Sequence, residues 1–348
     1  METKKIVLWI LVLAFLYSIF VAGCGEKTET EKNSNSTTTE EKPVQKIVIK
    51  LSHCTAPESP KGKASEKFAE LIKEKAGDRI EVQIFPSSQL YGDKEEMQAL
   101  MANNAQIIVP SITKLVAMDP SFQVVDLPFL FPNDEAVYKF WDGEGGKYLL
   151  NKLEKQGIIG LAAWNNAPIN IIGKKIYKSP ADLKGVKVRI PAGQVTTDVF
   201  SALGAGASTI PFAEVYTSLQ QGVVDSAISS VNNFDTEKYY EVVKYLTIFD
   251  LQRIEYIALT NTKFWNSVPE DLKLIIQEAM NEAAQYERKI ASDLNKESLE
   301  KMKQAGVEVY ECTSEDKKAF EELFKAIYDK WLPVIGEDLV NLAREAGK

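Results

Sequence analysis

Residues 269–305 restrict the fold more than any other stretch, because they read as one mostly helical run of 37 residues. A straight α-helix of that length spans roughly 55 Å, more than a single small domain needs. The chain has 348 residues, enough to bury a sizeable core, and it divides more readily into two lobes than one.

Around this run, strands and helices alternate in an α/β pattern. Ile47, Ile49 and Leu51 alternate through a first strand at 46–52, which enters a loop at His53 before a helix over 62–75 with Phe68, Leu71 and Ile72 on its apolar face. Ile80, Val82 and Ile84 mark a second strand at 79–85, which Pro86 turns into a loop carrying Tyr91. A helix follows over 94–103, then a buried strand over 106–109, an apolar core segment at 127–131, one helix from 134 to about 155 and a strand over 158–164 that ends in Trp164-Asn165-Asn166. Further strands fall at 187–191, 207–210, 224–229, 244–249, 253–261 and 307–310. The intervening helices are 196–203, closed by Gly204, and one placing Val215, Leu219 and Val223 on a single face. Two more close the chain, at 314–332 and 334–346.

Composition excludes several chemistries. The formal charge of −8 argues against nucleic acid, which requires a basic face. His53 is the only histidine, which removes His-rich metal sites and leaves one base for Ser–His or Cys–His catalysis. No CxxC, GxxxxGK or GxGxxG motif occurs, so neither a cofactor nor a metal is expected.

Val188 and Ile190 lie on one face of the 187–191 strand, which puts Arg189 near the strand's C-terminal end, where α/β sheets hold ligands. A guanidinium there suits a carboxylate, since its planar fork donates two parallel hydrogen bonds. On spacing alone, a surface arginine capping a turn fits as well. His53 stands either in the cleft or in a structural bond to backbone, and Arg253 is either a second cleft cation or an edge ion pair. Cys54 and Cys312 read as two free thiols.

The N-terminus reads as an address. Lys4 and Lys5 precede an apolar run at 6–21, and Val21-Ala22-Gly23-Cys24 resembles the lipobox of bacterial lipoproteins. A membrane-spanning anchor is the other reading of this run. Residues 1–23 are expected to be a signal peptide. Cys24 would carry the lipid that holds the protein at the outer face of the cell membrane, and the polar residues through 45 would form a disordered tether.

KGVKVRIP (184–191), PFAEVYTSLQQGVVD (211–225), LPFLF (127–131), FPSSQLYGDKEEM (85–97) and KYYEVVKYLT (238–247) occur in one chain. This set resembles the extracytoplasmic solute-binding proteins of TRAP transporters, dicarboxylate-binding type. The resemblance implies a two-lobe, type II periplasmic-binding-protein fold with crossing hinge strands and a long helix spanning both lobes. Lobe I would be 46–166 plus 255–294, and lobe II 167–254 plus 295–348. It also implies a monomer that captures a small organic acid and passes it, unchanged, to the small and large TRAP membrane subunits. An ABC importer or a receptor would be the alternative partner, and an exported enzyme the other class. Ligand contacts would come from Arg189 and Phe212, with Ser229, Asn165, Trp164, His53, Tyr91 and Arg253 around them. Two positions depart from the family pattern: Ile169 replaces a second arginine, and Ser229 replaces an asparagine.

Overall fold

β-Branched and aliphatic residues build eleven strands among residues 46–348, the part of the chain that the computed structural model describes. The signal peptide, Cys24 and the tether lie outside the described residues. In chain order the strands are β1 (Ile47–Ser52), β2 (Ile80–Phe85), β3 (Ile107–Ile108), β4 (Ile158–Pro168), β5 (Asn170–Gly173), β6 (Lys187–Ile190), β7 (Gly206–Thr209), β8 (Ser226–Ser229), β9 (Tyr245–Ile248), β10 (Arg253–Asn261) and β11 (Glu308–Glu311). They form two sheets, one ordered β2-β1-β3-β10-β4 and the other β11-β9-β5-β8-β6-β7. Each sheet founds one lobe.

Two stretches of chain cross between the sheets. β4 runs into β5 through Ile169, and β9 runs into β10 through residues 249–252. The crossings are tied together: Ile169 donates its N–H to the Gln252 carbonyl at 2.8 Å and accepts from the Leu251 N–H at 3.1 Å. Beside them, the Asn170 side-chain oxygen accepts from the N–H groups of Phe249 (2.9 Å) and Asp250 (3.0 Å). Without it these two donors would sit unpaired where the backbone turns through a left-handed Asp250 (φ 52°).

The long helix is Glu270–Gln304, 35 residues that span about 52 Å. Glu270 and Asp271 open it and Lys301 and Lys303 close it, charges matched to the helix dipole. Its first half packs on the helix Pro60–Ala76 and on β4, and it goes on to pack on the helix Val231–Thr236 of the second lobe. One apolar cluster, containing Phe68, Ile276 and Met280, lies beneath it in the first lobe, and another, with Val215, Phe234 and Met302, lies in the second.

Several elements differ from the sequence reading. The single helix expected from 134 is two, Asp134–Asp142 and Glu144–Glu154, because Gly143 is extended (φ −94°, ψ −156°). Val223 is exposed: Gly222 (φ +71°) closes a helix that ends at Gln220, so Val223 falls outside its buried face. The break in the last helical region comes at Gly336 (φ +106°), three residues past Pro333, which is held inside the helix Ser314–Ile335. The crossings lie at Ile169 and residues 249–252, a few residues from the expected boundaries at 166 and 254. The final helix, Glu337–Ala346, packs on the first-lobe helices Asp134–Asp142 and Glu144–Glu154, whereas residues 295–348 were expected with the second lobe. Its buried Leu339, Val340 and Ala343 join an apolar cluster that draws on both lobes. Among the described residues, no helix is long and apolar enough to cross a membrane.

Candidate functional site

β6 alternates as its sequence requires: Val188 and Ile190 are buried in the apolar core, and Arg189 extends to the other face. There its side chain is 2% exposed. Its Nε donates to the Ile210 carbonyl at 3.0 Å, which fixes the plane of the guanidinium. Among the described residues no carboxylate forms an ion pair with it. Burial lowers the guanidinium from its ordinary value, while Tyr239 and Asp93 act the other way, and the group stays charged at any working pH.

Arg189 lines a cavity between the two lobes. Phe212 lies beside it, with the guanidinium carbon 5.9 Å from the ring centre. Ile228, Ser229 and Asn233 complete the second-lobe wall, and Ile169 lines the cavity at the crossing. Ser229 accepts a hydrogen bond from the Asn233 amide at 3.0 Å.

The first-lobe wall carries Cys54, Thr55, Asp93, Ser111, Lys114 and Tyr256. Lys114 pairs with Asp93 at 2.7 Å, and both side chains are largely withdrawn from solvent. Asp93 also accepts the backbone N–H of Phe212 at 3.2 Å, a direct bond from one lobe to the other. Lys61 stands behind this wall, fully buried, donating to the Val109 carbonyl at 3.0 Å and lying 3.8 Å from the Tyr256 ring centre. Burial pushes the neighbouring Glu96 carboxyl up to about 7, and burial pushes the Cys54 thiol up to about 11.

The profile of the bacterial extracellular solute-binding proteins, family 7, matches residues 51–333. The chain belongs to this family. It is 38% identical over 302 residues to the C4-dicarboxylate-binding periplasmic protein DctP of Rhodobacter capsulatus, covering 86% of this chain and 91% of that one. Among solved structures it resembles a TRAP periplasmic solute binding protein from Shewanella oneidensis with bound succinate. There the TM-score is 0.85 at 32% identity, over 87% of this chain and all of the other. A second succinate-bound TRAP protein, from Sulfurospirillum deleyianum, gives a TM-score of 0.83 at 37% identity, over 86% of this chain and 99% of that one.

Not every residue singled out in the sequence of this family 7 protein reaches the cavity. Arg189, Phe212 and Ser229 line it; Asn165, Trp164, His53, Tyr91 and Arg253 do not. Strand parity accounts for two of these. On β10, Ile254 and Tyr256 face the cavity, so Arg253 and Glu255 face away. Arg253 pairs with Asp134 at 2.6 Å and approaches Glu255 at 3.6 Å, forming a structural ion pair. Asn165 lies opposite Glu255 in the β4–β10 register and bonds to it, while accepting from Arg288 of the long helix at 2.7 Å. Trp164 is fully buried in the first-lobe apolar cluster. Tyr91 packs against the larger apolar cluster. His53 is fully buried, with Nδ1 3.3 Å from the Thr55 hydroxyl, and burial lowers its pKa to about 3. Cys54 and Cys312 are both free thiols.

Among the cavity residues that sequence reasoning missed are Asp93, Lys114 and Tyr256. Asp93 lies two residues past Tyr91, which the sequence reading named as a ligand contact, so the loop was marked and this side chain was not. Lys114 sits in the short 3-10 turn Ile112–Leu115, where no periodicity marks which side chain points inward.

Proposed function

We infer that this protein captures a small organic acid between its lobes and hands it, chemically unchanged, to a membrane permease of the TRAP type. The observation that carries this reading is Arg189: a cation withdrawn from water, held by a backbone carbonyl, lining the cavity with no carboxylate among the described residues paired to it. Isolating a charge in this way is costly, and an anionic ligand offsets the cost. The relatives named for C4-dicarboxylates or bound to succinate indicate the size of acid to test first. Two cations, Arg189 and Lys114, against one anion, Asp93, give the lining an excess of positive charge that suits an acid.

Release without reaction agrees with the titratable groups. Near neutral pH, His53 is a neutral imidazole outside the cavity and Cys54 is a protonated thiol. Neither supplies a base or a nucleophile. The bond from Asp93 to the Phe212 N–H joins the lobes in a closed arrangement, and a ligand that touches both lobes favours that state through its differential contacts.

The sequence at 21–24 supports attachment to the outer face of the cell membrane through a lipid on Cys24. Mass spectrometry of the membrane-extracted protein, and release of a Cys24→Ser variant into the medium, test that part. Titration calorimetry of the soluble chain against succinate, malate, fumarate, and neutral sugars as controls tests the ligand class. Binding of an acid in the micromolar range supports the reading, and binding of sugars alone would remove it.

A further inference from the structure

Resting on capture of an acid between the lobes, we propose that closure takes up a proton at Glu237, so that the protein holds its solute more tightly in mildly acidic surroundings and sheds the proton as it opens. Glu237 belongs to the second lobe. The short helix Val231–Thr236 stops just before it, and Lys238 turns the backbone left-handed (φ 57°). That reversal sets Glu237, half-buried, against the first-lobe loop after β1, where its carboxyl accepts the Ala56 N–H. The contact joins the two lobes, as does the bond of Asp93 to the Phe212 N–H.

The two interlobe carboxylates differ in their company. Asp93 has the Lys114 ammonium at 2.7 Å. Among the described residues no lysine or arginine forms an ion pair with Glu237, and the first lobe sets a second acid, Glu58, across the seam from it. The charges nearby are otherwise engaged. Lys61, on the helix Pro60–Ala76, donates to the Val109 carbonyl at 3.0 Å, and Lys301 of the long helix holds Asp235 at 2.8 Å. Lys63, Lys238 and Glu297 line the cleft that Glu58 and Asp235 share, and Tyr239 follows in the chain. Two acids brought together from opposite lobes repel until one of them is neutral.

Burial pushes the Glu237 carboxyl up to about 7, with Glu58 adding to the shift and the Ala56 N–H and Lys61 opposing it. When the lobes part, water returns to Glu237 and Glu58 moves away, so the carboxyl falls back toward its ordinary range. The closed form therefore binds more protons than the open form. Its advantage is full below the ordinary carboxyl value and is lost as pH rises through about 7. Glu96, Glu255 and Glu287 are raised as well, but the groups around them belong to the first lobe and the long helix, so a swing of the lobes leaves them in place. Asp126 is held at the crossing residue Gln252, where a swing moves least.

The test is calorimetry of the soluble chain with succinate from pH 5.5 to 8, wild type against Glu237→Gln. Comparing the two profiles cancels the titration of the ligand and of every other group. Wild-type affinity is expected to rise about 10-fold more than the variant's between pH 8 and 5.5. Glutamine resembles the protonated acid, so at pH 8 the variant should bind more tightly than wild type. Titrations near pH 6.5 in buffers of unlike ionisation enthalpy count the protons taken up, and wild type should take up more. Glu58→Gln, which leaves Glu237 in place, should shrink the wild-type slope. Parallel profiles or equal proton counts overturn the assignment while leaving the carboxylate reading standing. A wild type that binds no succinate at any of these pH values sinks both. Should Glu237→Gln fail to fold, Glu58→Gln decides: a slope equal to that of wild type overturns the proposal.

Discussion

Arg288 and Asn165 are joined by a 2.7 Å hydrogen bond that ties the middle of the long helix to the crossing strand β4. The terminal nitrogens of the same guanidinium hold both oxygens of Asp142, at 2.7 and 2.8 Å. One side chain thus links the helix, β4 and the helix Asp134–Asp142. Because Asn165 also donates to one oxygen of the buried Glu255, removing Arg288 would loosen a polar cluster that lies outside the ligand cavity. Arg288→Met is expected to cost about 1–3 kcal/mol in urea denaturation. Ligand affinity measured by calorimetry should stay within a few-fold of wild type.

Arg189 should behave in the opposite way. Arg189→Ala removes the cation without touching the apolar face of β6, so the fold should persist while acid binding falls below detection. Arg189→Lys keeps the charge and loses the planar fork, so it should recover only part of the affinity. An alanine variant with undiminished affinity would exclude this site as the anchor.

Stability should decline as pH rises from about 5 to 8. Burial raises Glu96, Glu255 and Glu237 to about 7, and raises Asp126 and Glu287 well above the ordinary carboxyl range. The folded state therefore binds more protons than the unfolded chain across this window, and the slope of unfolding free energy with pH is negative. His53, lowered to about 3, contributes with the opposite sign below its unfolded value, but it is one group against five. The melting temperature is expected to be higher at pH 5.5 than at pH 8. Glu255→Gln, which keeps an acceptor for Asn165, should flatten the profile.

At the crossings, Asn170→Ala would leave the N–H groups of Phe249 and Asp250 without their side-chain acceptor. The expected cost is about 1–3 kcal/mol for each donor left buried and unpaired. Hydrogen exchange should quicken at residues 249–250 before it does in β1 or β6. Equal protection in variant and wild type would mean that water replaces the amide.

The parts legible in the sequence were those fixed by local periodicity. Alternation in β1, β2 and β6 located the sheet edges, and it put Arg189 on the face opposite Val188 and Ile190, where the cavity lies. The long run read at 269–305 pointed to two lobes. What escaped depended on neighbours distant in sequence. Whether Arg253 or Ile254 faces the cavity is a choice of parity that only the packing of β10 against β3 and β4 decides. Asn165 follows the same choice through its register with Glu255. Asp93 and Lys114 come from a loop and a 3-10 turn, segments with no repeating face to read. The break at Gly143 was missed because a glycine beside helix-forming residues is tolerated in many helices; here it takes an extended conformation.

Ile169 bonds to both Leu251 and Gln252, so the two passages of chain between the lobes are fastened to each other and act as a single strip. A strip bends more easily across its width than it twists or shears, which favours a swing of one lobe against the other about this seam over a sliding or twisting of the two.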